Sequence, residues 1–162
     1  MKTITFISII AMLIGLNSCV QNTTNQDLAP QIQYAATPSI NGVPMTSNVD
    51  TLIVGDTLLL PLALQGYYNP LISFRVSNDT TVSKVTFPGI SALGSAILDN
   101  DSTNLAKGYL FFGTNNFATV QLLVQYVPTK PSNTAVLRFT LASTSNYSPT
   151  VAQMAVPAKA KP

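Results

Sequence analysis

Histidine, tryptophan and glutamate do not occur in the 162 residues, and cysteine occurs once, at Cys19. The missing histidine excludes imidazole acid/base chemistry and His-ligated metals, the missing glutamate excludes paired glutamates, and the single cysteine excludes an intrachain disulfide. Charge is also scarce: charged residues make up 9% of the chain, where ordinary soluble domains carry roughly a quarter. Eight Lys and Arg against six Asp leave +2, too little for a nucleic-acid surface held by counterion release. What is present is a 46% apolar content with 8 Gly and 11 Pro, which fits a folded chain rather than a disordered one. Ser, Thr, Asn and Gln must therefore solvate the surface.

The first eighteen residues read as an address. Met1 and Lys2 form a small positive head, and the apolar run from Ile4 to Leu16 is interrupted by Thr5, Ser8 and Gly15. A membrane-spanning helix needs about 20 apolar residues, so this run fits a cleaved secretory signal helix better than an anchor. The competing reading is a buried N-terminal helix. Leu16-Asn17-Ser18-Cys19 resembles the lipobox of bacterial lipoprotein precursors, although Asn17 is an unusual residue in that pattern. The resemblance implies cleavage between Ser18 and Cys19, diacylation of the Cys19 sulfur and acylation (palmitate or a similar chain) of its new amine. Lipid would then attach the chain to a membrane, since two or three acyl chains hold durably where one holds marginally. Val20, with no Asp beside Cys19, implies by the same resemblance onward transport to the outer membrane. A free thiol or an intermolecular disulfide at Cys19 is the alternative.

Residues 19–29 form the lipidated Cys and a polar tether without periodicity, and ten such residues span roughly 15 to 20 Å on average. The mature chain loses Lys2, which leaves seven basic against six acidic residues and no electrostatic means of adhering to anionic lipid. Residues 30–157 are expected to make one domain, with 158–162 a disordered tail. Within the domain the hydrophobic period is two. Leu58, Leu60, Leu62 and Leu64 alternate in 57–65, with Pro61 pointing to a sheet edge or a bulge. Ile72, Phe74 and Val76 alternate in 71–77, Val120, Leu122, Val124 and Tyr126 in 119–127, and Ala135, Leu137, Phe139 and Leu141 in 134–142. Weaker strands are expected over 31–36, 50–54, 82–87, 107–113 and 150–156, and a helical hint lies at Ile90, Leu93 and Ile97. Asn41-Gly42, Gly55-Asp56, Asn69-Pro70 and Ser145-Asn146 supply turn chemistry between strands.

One-sided strands with few helices predict two sheets over one core, an all-β antiparallel sandwich of about 7–9 strands. A jelly roll or a small barrel is the alternative. Val54-Gly-Asp-Thr-Leu-Leu-Leu60 resembles the start of the second strand of bacterial immunoglobulin-like and cadherin-like modules, and 142–156 resembles their closing hairpin. Together with the lipobox, this resembles small Bacteroidetes-type lipoproteins carrying one immunoglobulin-like domain.

Candidate chemistry is sparse. Ser83 and Lys84 adjoin in sequence, but strand neighbours project to opposite faces, so they do not form a nucleophile–base pair. Asp99 and Asp101, in the run Asp99-Asn-Asp-Ser-Thr-Asn104, are weak candidates for Ca²⁺, lacking the Gly and Glu of a calcium loop; a solvated Asx turn is the simpler reading. Tyr67 and Tyr68 between two strands, and Tyr147 in the last hairpin loop, are the candidate ligand contacts. Thr51, Thr57, Thr80 and Ser102 each follow an Asp, resembling the O-glycosylation sequon of Bacteroidetes envelope proteins. No cofactor is expected. These features lead to the expectation of a non-catalytic, lipid-anchored envelope module that binds or scaffolds a glycan or an envelope protein, without nucleic acid. The alternatives are an assembly subunit working through strand exchange and, furthest from the residue inventory, an Asp/Ser-based hydrolase.

Overall fold

The computed structural model describes residues 27–46, 51–90, 97–113 and 116–162. They form an all-β fold of two antiparallel sheets that face each other over one core. The long strands are those the alternation predicts: β5 (Leu58–Gln65), β6 (Leu71–Ser77), β9 (Thr119–Pro128) and β10 (Val136–Ser143). Shorter strands are β1 (Gln31–Tyr34), β2 (Ser39–Ile40), β3 (Val43–Pro44), β4 (Leu52–Ile53), β7 (Ser83–Thr86), β8 (Tyr109–Phe111), β11 (Thr150–Ala155) and β12 (Ala158–Lys159).

One sheet runs β3-β2-β5-β9-β7, with β1 pairing beside β2 on the same edge of β5; the other runs β11-β10-β6-β8. Taking β1 and β2 as one bent first strand, this order matches the A-B-E-D and G-F-C sheets of an immunoglobulin constant-type sandwich. The departure is β8, which lies between β7 and β9 in the chain yet adds to the free edge of β6. Leu58, Leu60, Leu62 and Leu64 of β5 face Leu137, Phe139 and Leu141 of β10 within one buried cluster, and Phe74 stacks on Phe139 with ring centroids 6.2 Å apart.

Several expectations need correcting. Pro61 lies in the interior of a sheet, in β5, which is paired on both sides. Along a strand, a residue's N–H and C=O point to the same edge. The Pro61 carbonyl accepts from Ala35 N–H at 2.9 Å, so the donor that proline lacks faces the break between β1 and β2 and no ladder bond is forfeited. In β6 a register shift against Ala142 and Ser143 leaves Ile72 unpaired. Leu71, 1% exposed, takes the core place expected for Ile72.

The tail does not begin at 158. Ala158 and Lys159 pair in parallel with Leu52 and Ile53, and Ala158 is 2% exposed. At the other end, Asp27 and Pro30 already belong to the packed body, since Pro30 is buried and its carbonyl accepts from the Thr150 hydroxyl. The β2–β3 hairpin is closed by Asn41-Gly42, with φ of 51° and 81°, as a type I′ turn requires. Of the helical hint, Ile90 and Ile97 have helical backbone, whereas Leu93 lies outside the described residues.

Candidate functional site

The two lateral edges of the sandwich differ. On one, β1 and β11 approach each other, and the Tyr34 hydroxyl donates to the Met154 sulfur at 3.8 Å. On the other, β7 and β8 end their sheets without meeting in a ladder. There a cleft of about 640 Å³ opens between β7 and the 3₁₀ turn Leu105–Lys107 that precedes β8. This is within the range of small-ligand sites. Its floor is apolar, with Phe87, Ile90 and Leu105, and its walls carry Asn78, Thr80, Thr86, Thr129 and the Lys84 ammonium. A second cleft of about 230 Å³ shares Asn78, Thr80 and Ala106 with the first and adds Arg75 and Lys107. A lining rich in hydroxyls and cations suits an oxygen-rich or acidic ligand.

Beneath this edge, Ser83 and Lys84 alternate across β7, Ser83 buried and Lys84 exposed, as the strand period requires. The Ser83 hydroxyl donates to the Asp79 carbonyl at 2.8 Å and accepts from the Asn78 amide at 2.9 Å. Tyr126, 1% exposed, has no hydrogen-bond partner for its hydroxyl among the described residues. Burial pushes this phenol above its ordinary 10.0; neighbouring Ser83 lowers it and the Asp79 charge raises it further. Ser83 thus lies near the phenol, but it gives its one proton to Asp79 and keeps only a lone pair on that side. The Asp79 carboxyl is held below its ordinary 3.8, first by the Thr81 hydroxyl and then by the Thr81 N–H.

The three candidate tyrosines lie at the far end of the sandwich from the Asn78 and Thr129 loops. Tyr67 and Tyr68 occupy the β5–β6 loop and Tyr147 the β10–β11 loop, and these loops adjoin because β6 and β10 pair and Thr144 N–H donates to the Pro70 carbonyl. Tyr68 and Tyr147 are each 54% exposed. Tyr67 has φ of 58°, an uncommon backbone state for a bulky residue. Its neighbour Gly66 is needed for a different reason: a Cβ there would stand 2.1 Å from the Asn69 carbonyl oxygen. Asp27 locks the pair of loops, accepting from the Asn69 side chain at 3.0 Å and from the Asn146 N–H at 2.8 Å.

The other candidates are dispersed. The Asp99 carboxylate accepts from the Asp101 and Ser102 N–H groups, which is the chemistry of an Asx turn, and Asp101 is exposed. Thr80 and Ser102 are exposed and Thr57 is half-buried; Thr51 is exposed, while the Asp50 before it lies outside the described residues. Ser18 and Cys19 also lie outside the described residues. No family model matches the chain, and no curated protein matches it significantly.

Sequence reasoning missed Asp27 and both clefts. An Asp in a polar stretch carries no local signal, and the clefts are built from three segments distant in sequence. The weak signal available was the clustering of Asn78, Thr80 and Ser83 around a β-turn.

Proposed function

We propose that the chain is a non-catalytic module of the cell envelope, held to the outer membrane by lipid on Cys19, which captures a glycan or an envelope protein in the cleft between β7 and the 3₁₀ turn. The polarity of the sandwich carries this reading. The chain joins the body at Asp27, among the tyrosine loops, and the cleft lies along the β7 edge and reaches the Asn78 and Thr129 loops, with β9, ten residues long, running from one end to the other. At about 3.3 Å per residue, the Asn78 and Thr129 end of the cleft is roughly 30 Å from the tethered end, which supports access for a ligand outside the lipid surface.

The roles of the carboxylates support a non-catalytic reading. Asp27, Asp56, Asp79 and Asp99 each accept hydrogen bonds from nearby amide or hydroxyl groups and act as loop staples. Intact mass of the mature N-terminus, with glycan arrays and envelope pull-downs on the mature chain, tests the proposal. The expected result is an acylated Cys19 and a ligand whose capture falls at least tenfold in Lys84→Ala and Lys107→Ala. Capture unchanged in both variants would remove the cleft from the reading, and heat-resistant oligomers without any ligand would favour the assembly subunit.

A further inference from the structure

The tyrosine end bears a second surface, and its partner follows from where the chain arrives. Asp27 is hydrogen-bonded to both tyrosine loops, and Gln31 pairs with Gln65 at the same end. Seven residues, 20–26, separate Asp27 from Cys19. Even fully extended they reach at most about 30 Å, and a flexible chain of that length averages about 15 Å. A lipid on Cys19 would therefore keep this end of the sandwich within about 30 Å of the bilayer surface.

The end is suited to that position. Its loops, 66–70 and 144–149, contain no charged side chain, and the Asp27 carboxylate seated between them is half-buried with both oxygens hydrogen-bonded to the loops, so bringing this end to the interface desolvates no unpartnered ion. Tyr67, Tyr68 and Tyr147 present apolar rings with a polar tip, the side-chain type that settles at the headgroup level. The described cations lie elsewhere: Arg75 and Arg138 sit within β6 and β10, Lys84 and Lys107 line the clefts, Lys130 follows β9 at the opposite end, and Lys159 and Lys161 belong to β12 and the residues after it. A short tether also raises the effective concentration of the loops at the surface to the millimolar range, so weak contacts suffice.

We propose that Tyr67, Tyr68 and Tyr147 form an interfacial foot that rests on the phospholipid headgroups and sets the orientation of the domain, so that the Asn78 and Thr129 end of the cleft is held away from the membrane. This rests on acylation of Cys19. The contact uses ring insertion rather than charge, and it is therefore indifferent to anionic lipid.

The test uses mature chain isolated from membranes with its own anchor, whose intact mass reports the acyl chains. It is placed in vesicles of uncharged phosphatidylcholine containing headgroup spin-labelled lipid. Amide signals of Gly66, Tyr68, Asn69, Asn146 and Tyr147 are expected to broaden while those of Asn78, Thr80 and Thr129 stay sharp, with the same pattern when half the lipid is anionic. Because the chain has six tyrosines and no tryptophan, emission gives a second readout. Quenching by the labelled lipid should be lost in the triple variant Tyr67→Asn, Tyr68→Ser, Tyr147→Ser. An acylated chain with uniform broadening, or with broadening at Asn78 and Thr129, overturns the foot while leaving the anchor intact. An unacylated Cys19 overturns the anchor and the foot with it.

Discussion

Tyr126 shows how one atom sets the margin of a core. Its ring is fully packed among β5, β7 and β9, while its hydroxyl has no partner among the described residues. A buried donor left unsatisfied costs about 1–3 kcal/mol, so Tyr126→Phe is expected to raise unfolding free energy by about 1 kcal/mol in a denaturant titration. The same substitution has a pH signature. Because burial pushes the folded phenol above 10.0, the unfolded chain releases this proton first. Stability from this group is constant below pH 10 and falls as pH rises from 10 toward the folded value. The Phe variant should lose that part of the alkaline decline, and a Phe variant less stable than the parent would show that the hydroxyl is satisfied in solution. The alternation in 119–127 announces Tyr126 as a core residue. Its missing partner is not legible there, because satisfaction depends on Ser83, which sits in another strand and is held by Asn78 and Asp79.

Among elements, legibility followed length. The strands around Phe139 and Val124 announce themselves by several alternating residues and need little help from their neighbours. β2, β3 and β12 have two residues each, too few for a period, and exist because hydrogen bonds to neighbouring segments hold them. β12 is the instructive case. Leu52 N–H donates to the Pro157 carbonyl, Val54 N–H to the Lys159 carbonyl, and Ser132 and Ala158 exchange both backbone bonds. Ala158 also closes the core over Leu52, itself 0% exposed. Ending the chain after Pro157 keeps the acceptor for Leu52 N–H but removes the other three bonds and the Ala158 cover of Leu52, for an expected loss of about 2–4 kcal/mol at net values near 1 kcal/mol per hydrogen bond plus the apolar area. Ending it after Lys159 removes three exposed residues and should change the thermal midpoint by less than 1 °C. Equal behaviour of the two truncations would return 158–159 to a loose tail. Pro61 teaches the converse lesson: a rule that confines proline to edges is obeyed locally, at the break in one neighbouring strand, while the element itself is central.

For the whole molecule, the scarcity of charge acquires a direction. The tyrosine loops are uncharged, whereas Arg75, Lys84 and Lys107 gather around the clefts. The proposed anchoring and the proposed capture should therefore answer salt in opposite ways. Acyl chains contribute about 0.8 kcal/mol per buried CH₂ without reference to ionic strength, and an uncharged foot adds nothing that salt can screen. A ligand held by ammonium and guanidinium groups is different: the screening length shrinks from about 10 Å at 0.1 M to about 3 Å at 1 M. Washing membranes with 1 M NaCl is accordingly expected to leave the chain in the pellet while releasing at least tenfold of an acidic ligand from it, as measured by immunoblot and by glycan recovery from the same wash. Release of the chain itself at 1 M salt would mean that charge, and not lipid, holds it, and ligand retained at 1 M salt would place recognition on the apolar floor of Phe87, Ile90 and Leu105 rather than on the cations above it.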